Sequence, residues 1–188
     1  MIGWSMTKSV TAALVGILVR QKRLDIRKPA PVAAWKGPDD PRGAITLDQL
    51  LRMSSGLAFQ EVYGPFKDAT DMLYASKSMA EYAWAKPLEA EPESVWSYSS
   101  GTTNIVARIV RDATGGTLAD AYNFARNELF DRLHMCSAVI EPDASGSFVG
   151  SSYMFATARD WARFGLLLLR DGVGEGKRIL PEGRGAYM

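Results

Sequence analysis

The stretch that decides the fold is Ser5-Met6-Thr7-Lys8-Ser9-Val10-Thr11-Ala12-Ala13-Leu14-Val15-Gly16-Ile17-Leu18-Val19, a long apolar segment that opens with a serine and a lysine. No further charged residue appears until Arg20. A helix that is apolar on nearly all sides is buried in a core, and this segment is too short and too interrupted to span a membrane. The sequence therefore predicts a buried helix over residues 5–20.

Ser5 and Lys8 are three residues apart at the start of that helix. This spacing places both side chains on one helical face, with Cβ atoms about 5–6 Å apart. A serine hydroxyl is a weak nucleophile that needs a neighbouring base, and a lysine held in an apolar setting can supply one. The alternative is a serine that caps the helix, followed by a solvated lysine, because the Ser-x-x-Lys pattern also occurs by chance.

A second informative block is Trp96-Ser97-Tyr98-Ser99-Ser100-Gly101-Thr102-Thr103-Asn104. Tyr98 and Ser100 lie at a bend just before a helix that we predict over residues 102–113. The phenol of Tyr98 could hydrogen-bond Ser5 if the two helices pack together. The alternative places Tyr98 in the core and makes Ser100 the cap of the following helix.

The rest of the chain is predicted to be mostly helical. A capping box, Thr46-Leu47-Asp48-Gln49, opens a short helix that extends to about residue 52. Further helices are predicted over residues 72–76 and 79–85, from Thr117 to about residue 133, and from Thr157 to Gly172. Residues 137–140 could form a short strand, whereas residues 145–154 are rich in Gly and Ser and indicate a loop.

Composition excludes several function classes. Twenty-two basic and 21 acidic residues give a formal net charge of +1, which offers no electrostatic case for binding nucleic acid or an anionic membrane. His134 and Cys136 are two residues apart and point to different faces of a helix, so a catalytic pair is not expected. The sequence shows neither a metal-ligand cluster nor a Gly-rich phosphate loop, so we expect no metal and no cofactor. Compartment and oligomeric state cannot be read from it.

Taken together, the two motifs resemble those of the class C β-lactamase-like serine hydrolases. This family also holds D-Ala-D-Ala carboxypeptidases, esterases and aminohexanoate-oligomer hydrolases. Residues 3–9 resemble its nucleophile region, residues 45–57 its Thr-Leu and Thr-Ser-Gly-Leu segment, and residues 157–165 a late helix. Most members have Tyr-x-Asn as the second motif. The Tyr98-Ser99-Ser100 form is more similar to the aminohexanoate-oligomer hydrolases.

The resemblance implies an α+β fold of the β-lactamase/transpeptidase type. The family's third motif, Lys-Thr-Gly or His-x-Gly on a strand, does not follow Tyr98, and family members have strands before and after the matching region. We therefore expect residues 1–188 to be a single partial domain, truncated at both ends. It would hold mostly the helical region, lack most of the antiparallel sheet, and be inactive by itself.

The resemblance also implies a serine hydrolase acting on an amide, ester or β-lactam bond of a small-molecule or peptide-like acyl substrate. Ser5 would form the acyl-enzyme, and its backbone N–H would give half of the oxyanion hole. Lys8 or Tyr98 would accept the serine proton, and the sequence does not decide between them. Ser100 would orient the substrate amide or relay a proton, and Tyr63 is a candidate substrate contact.

Two other readings stay open. A non-catalytic β-lactamase-like binding protein would keep the fold and a ligand pocket, which would explain the missing third motif. An unrelated helical interaction domain would carry the motifs by chance.

Overall fold

The apolar segment after Ser5 forms the helix α1 (Met6–Arg20) in the computed structural model, which describes residues 1–183. The predicted burial is confirmed, because α1 side chains that are at most 2% exposed include Val10, Ala13, Leu14, Val15, Ile17 and Leu18. The other α-helices of these residues are α2 (Leu47–Leu51), α3 (Asp68–Tyr74), α4 (Met79–Trp84), α5 (Ser100–Thr114), α6 (Leu118–Ala125) and α7 (Ala158–Leu169).

Helix α5 is the centre of the packing. It contacts α1, α2, α3, α4 and α6, and the residues of its first two turns are almost completely buried. Polar side chains in these turns are tolerated because they are hydrogen-bonded; Thr102 and Thr103, for example, both donate to the carbonyl of Ser99. The N-terminal end of α5 therefore lies in the interior, close to the start of α1.

Strands are few and short in the described residues. β1 (Val139–Ile140) and β2 (Met154–Phe155) pair antiparallel, and an isolated bridge from Ile2 to Phe155 adds the chain start to the same edge. β3 (Val173–Gly174) and β4 (Lys177–Arg178) form a separate antiparallel hairpin. Short turns of 3₁₀-helix occupy Ala33–Trp35, Pro41–Ala44 and Asp131–Leu133, and a π-helical turn occupies Arg126–Phe130.

Several predicted boundaries need correction. The helix expected to extend from Thr117 to about residue 133 is regular only to Ala125. It then widens into the π-helical turn and tightens into a 3₁₀ turn, where Leu129, Phe130 and Leu133 are buried. Helix α5 starts at Ser100, two residues earlier than predicted. The β3–β4 hairpin was not expected, since its strands are only two residues long; its turn residues Glu175 and Gly176 both have positive φ.

Residues 150–152 lie between α1 and α5, and a glycine makes this possible. A Cβ at Gly150 would be 2.6 Å from Thr11 Oγ1 and 2.7 Å from Ala107 Cβ. The Gly150 carbonyl accepts a hydrogen bond from Thr11 Oγ1 at 2.8 Å. This close approach brings the next residue, Ser151, beside the first turn of α1. No helix among residues 1–183 is both long enough and apolar enough to cross a bilayer.

Candidate active site

Lys8 is the centre of a polar cluster between α1, α5 and the loop before β2. Its Nζ lies 3.0 Å from Ser100 Oγ, 3.0 Å from the Ser151 carbonyl oxygen and 3.3 Å from Ser5 Oγ. A lysine ammonium has three N–H donors, so these acceptors match it in number. The sequence predicted an apolar setting for Lys8. The helix around it is apolar, but the partners of Nζ are polar.

Ser5 lies at the N-cap position of α1 but does not cap the helix. Its backbone is already helical, with φ −61° and ψ −17°, and its side chain makes no capping hydrogen bond. A capping serine has an extended backbone and accepts from an N–H of the first turn. The capping alternative is therefore wrong, and the Ser5 hydroxyl is exposed with Lys8 as its partner.

Tyr98 closes one side of the same site. Lys8 Nζ lies 4.8 Å from the centroid of the Tyr98 ring, within the range of a cation–π contact. Within residues 1–183 the phenol oxygen makes no hydrogen bond to Ser5 or Lys8, so the hydrogen bond from Tyr98 to Ser5 is absent in this conformation. The core alternative is wrong as well, because Tyr98 is half-buried and the cap of α5 is Ser99, which accepts from the Thr102 N–H.

A cavity of about 240 Å³ opens beside these residues, lined by Ser5, Lys8, Ser9, Ala12, Leu51, Met53 and Tyr98. It combines apolar walls with a few polar groups that converge at one end, as is typical of small-molecule sites. A larger surface groove of about 640 Å³ lies beyond the end of α1, along residues 19–31, and contains none of the predicted site residues.

Glu61, which was not among the predicted site residues, joins the site from the loop before α3. Its Oε1 accepts from the Ser100 hydroxyl at 2.7 Å and from the Tyr63 hydroxyl at 3.1 Å. Its Oε2 accepts from the Ser100 backbone N–H at 2.7 Å. Burial and the neighbouring Glu61 carboxylate raise the pKa of the Tyr63 phenol. Tyr63 is 59% exposed, so much of this residue is open to solvent.

Ser151 is held by a buried amide. Asn104 Oδ1 accepts from the Ser151 N–H at 3.2 Å, and Asn104 Nδ2 donates to Ser151 Oγ at 3.2 Å. Ser151 and Asn104 are 0% and 1% exposed, respectively. Two hydrogen bonds with the Asn104 amide, one to the backbone and one to the side chain, therefore hold the residue whose carbonyl faces Lys8.

Asp68 anchors the loop that carries Glu61 and Tyr63. Its carboxylate accepts from the Gln60 N–H at 3.0 Å, from Tyr82 at 2.9 Å and from Lys86 Nζ at 2.6 Å. Burial alone would raise the pKa of Asp68, but the hydrogen bonds from Lys86 and Gln60 outweigh it and lower the pKa. The start of the loop is thereby tied to the end of α4.

Comparison with known proteins assigns the chain to a family. A sequence model of the Beta-lactamase family matches residues 3–184. The chain belongs to the Beta-lactamase family. A curated member, the 6-aminohexanoate-dimer hydrolase of Paenarthrobacter ureafaciens, is 26% identical over 201 residues, which cover 95% of this chain and 48% of that protein. The chain thus spans about half the length of this curated relative.

Solved structures of similar proteins share the fold. A Bacillus anthracis protein provisionally described as a 6-aminohexanoate-dimer hydrolase superposes with a TM-score of 0.79 at 29% identity, over 95% of this chain and 50% of that one. The D-amino acid amidase of Ochrobactrum anthropi, in complex with L-phenylalanine, superposes with a TM-score of 0.72 at 19% identity, over 98% and 60%, and supports the fold alone. The predicted β-lactamase/transpeptidase-like fold is confirmed, with the described residues mostly helical. An unrelated helical domain is excluded.

The fold of this Beta-lactamase family chain brings all five predicted site residues to one region: Ser5, Lys8 and Tyr98 at the cavity, with Ser100 and Tyr63 beside them. Sequence reasoning missed Glu61, Asn104 and Ser151. One weak signal existed for Glu61, because residues two apart in an extended segment face the same way and Tyr63 was already a candidate. Within residues 1–183 no group of three or more His, Cys, Asp or Glu side chains is placed to hold a metal ion.

Proposed function

We propose that the protein is a serine hydrolase of amide bonds and that Ser5 carries the acyl group. One observation carries this proposal: Lys8 Nζ lies 3.3 Å from Ser5 Oγ, and both residues line the same cavity. A nucleophile within reach of a base that is itself oriented by further groups is the arrangement expected of covalent catalysis. Membership of the Beta-lactamase family supports the same reading.

In the proposed reaction, Ser5 Oγ attacks the carbonyl carbon and its proton passes to the neutral amine of Lys8. The Ser5 N–H at the start of α1 would stabilise the oxyanion, helped by the positive end of the helix dipole. Lys8 then gives the proton to the leaving amine as the C–N bond breaks. Water attacks the Ser5 ester by the same proton route and releases the acid.

Lys8 fits the role of base better than Tyr98 in this conformation. Its Nζ is within hydrogen-bonding distance of Ser5 Oγ, whereas the Tyr98 contact with Lys8 is made by the ring. A general base must come within hydrogen-bonding reach of the proton it removes, although such contacts often tighten only when substrate binds. We therefore assign Tyr98 to the cavity wall and to support of the Lys8 cation.

Amides are the proposed substrate class because of the relatives. The curated relative and the Bacillus anthracis fold neighbour, which is 29% identical, are both named for the 6-aminohexanoate dimer, whose two units are joined by an amide. Tyr63, which is largely exposed beside the cavity, would contact the substrate. Ser100 is 0% exposed and its hydroxyl lies between Lys8 and Glu61, which disfavours direct contact with the substrate.

The experiment uses the full-length protein and a fluorophosphonate probe, with the adduct located by peptide mass spectrometry. We expect an adduct on Ser5 that is lost in Ser5→Ala. It should be retained in the matched control Ser9→Ala, which changes another serine that lines the same cavity. Hydrolysis of 6-aminohexanoate dimer, a D-amino acid amide, a p-nitrophenyl ester and a penicillin would then rank the substrate classes. A folded protein without an adduct would support the non-catalytic binding protein instead.

A further inference from the structure

The hydrogen bonds around Lys8 must have a defined direction for Lys8 to act as a base. An ammonium donates three hydrogen bonds, but a neutral amine has two N–H groups and one lone pair. Its three neighbours are Ser5 Oγ, Ser100 Oγ and the Ser151 carbonyl. Proton transfer from Ser5 requires the lone pair to face Ser5, so the other two neighbours must both accept.

The Ser151 carbonyl satisfies this condition by its chemistry, because a carbonyl oxygen only accepts. Its position is fixed through the two hydrogen bonds between Asn104 and Ser151. One of the two N–H groups of a neutral Lys8 therefore donates to the Ser151 carbonyl.

The Ser100 hydroxyl does not by itself have to accept from Lys8, since a hydroxyl can donate as well as accept. If Ser100 turned its proton toward Nζ, it would occupy the lone pair and compete with Ser5. Glu61 removes this possibility. Its Oε1 accepts a hydrogen bond from the Ser100 hydroxyl at an oxygen–oxygen distance of 2.7 Å, which is typical of a charge-assisted bond, and its Oε2 accepts from the Ser100 N–H at 2.7 Å.

We infer that Glu61 is a positioning residue of the proposed hydrolase: by accepting the hydrogen bond of the Ser100 hydroxyl, it leaves Ser100 Oγ as a fixed acceptor for Lys8 and directs the lone pair of neutral Lys8 at Ser5. The inference rests on the proposed function. In the step that it assists, the Ser5 Oγ–carbon bond forms, the carbonyl π electrons move to oxygen, and the Ser5 proton moves to Lys8 Nζ. Glu61 gains and loses nothing.

A purely structural role for Glu61 is the competing explanation. Its carboxylate lies at the first residue of α5 and stabilises that helix end through the Ser100 N–H. Glu61→Gln separates the two roles. The amide oxygen can still accept from the Ser100 N–H, while the NH₂ group donates to Ser100 Oγ and frees the Ser100 proton to face Lys8.

The test is a double-mutant cycle in the full-length protein, read out as the rate of fluorophosphonate labelling of Ser5. Cycles of this kind isolate the coupling between two residues. We expect Glu61→Gln to slow labelling by about 10–100-fold, a part of what a general base contributes. In a Ser100→Ala background, where no hydroxyl can compete for the lone pair, adding Glu61→Gln should change the rate less than twofold. Glu89→Gln, at an exposed glutamate away from the site, should label like the wild type.

Two results would overturn the inference alone: normal labelling by Glu61→Gln, or the same fold-loss with and without the Ser100 hydroxyl. Absence of labelling in the folded wild type would overturn both the inference and the proposed function. If Glu61→Gln does not fold, Glu61→Asp replaces it, because the shorter side chain cannot reach both Ser100 atoms. It should show the same dependence on the Ser100 hydroxyl.

Discussion

The carbonyl oxygen of Ser151 lies 3.0 Å from Nζ of Lys8, although the two residues are 143 positions apart in the chain. A loop inserted between α1 and α5 therefore supplies a backbone partner to the proposed base. This contact depends on three features: the missing side chain of Gly150, the two hydrogen bonds between Asn104 and Ser151, and the burial of Asn104 and Ser151. The predictions below test these supports and the roles assigned at the cavity.

Asn104→Ala should destabilise the protein. The change removes two hydrogen bonds to Ser151 and leaves its buried N–H without a partner, which costs about 1–3 kcal/mol. The free energy of unfolding, from denaturant titration, measures the loss. Asn123→Ala, at an exposed position of α6, is the matched control and should stay within about 0.5 kcal/mol of the wild type. A loss below that limit for Asn104→Ala would contradict the proposed support.

Lys8→Arg should abolish most of the labelling at Ser5. Arginine keeps the positive charge but does not lose its proton in proteins, so it cannot act as a base. We expect the labelling rate to fall by about 10²–10⁴-fold, the usual contribution of a general base. Lys36→Arg, on the exposed surface, controls for the substitution itself. If Lys8→Arg kept more than a tenth of the rate, Lys8 would supply only charge and another group would be the base.

Tyr98→Phe should slow labelling by less than about tenfold, because it removes the hydroxyl but keeps the ring beside Lys8. Tyr98→Ala should cost more, since it removes the cavity wall and the cation–π contact together. Single-turnover labelling of both variants at saturating probe separates these effects from binding. A loss of about 10²–10⁴-fold in Tyr98→Phe would instead assign the base to the phenol.

The buried helix α1, the Ser5–Lys8 pair and the helix caps could be predicted, because each follows from the residues next to it in the sequence. The apolar run from Val10 to Val19 determines a buried helix, and the spacing of Ser5 and Lys8 places both on one face. Capping residues were predictable for the same reason: Thr46 and Gln49 form the expected box, and Thr157 caps α7 through the Asp160 N–H.

Glu61, Asn104 and Ser151 could not be predicted as site residues, because their contacts join distant parts of the chain. Glu61 reaches Ser100 across 39 positions, and Asn104 reaches Ser151 across 47. Apart from the two-residue spacing between Glu61 and Tyr63, nothing in their local sequence distinguishes them from ordinary loop and helix residues. Their proximity is decided by how α5 packs and by the glycine at position 150, which are properties of the tertiary fold.

Acid should weaken the anchoring of the loop that carries Glu61 and Tyr63. The pKa of Asp68 is lowered in the folded protein, so its contribution to stability is present above its unfolded pKa, about 3.9, and is lost as pH falls below that value. Unfolding free energies measured between pH 3 and 7 should fall on the acid side in the wild type. The fall should be smaller in Asp68→Asn, which starts less stable. An equal pH dependence in both proteins would show that Asp68 is not responsible.

Gly150→Ala should damage stability and the site together. The new Cβ would meet Thr11 Oγ1 at 2.6 Å and Ala107 Cβ at 2.7 Å, so the inserted loop must move away from α1 and α5. Overpacking of this kind costs about 1–3 kcal/mol, and the shift would carry the Ser151 carbonyl away from Lys8 and slow labelling of Ser5. Gly165→Ala is the matched control, because a Cβ at this position meets nothing within 4 Å. Gly165 lies within α7, so alanine there should raise the free energy of unfolding by about 0.5–1 kcal/mol. Adding Ala107→Gly to Gly150→Ala should partly restore stability and labelling, because it relieves one of the two contacts. Wild-type stability and labelling in Gly150→Ala alone would contradict the role given to this close approach.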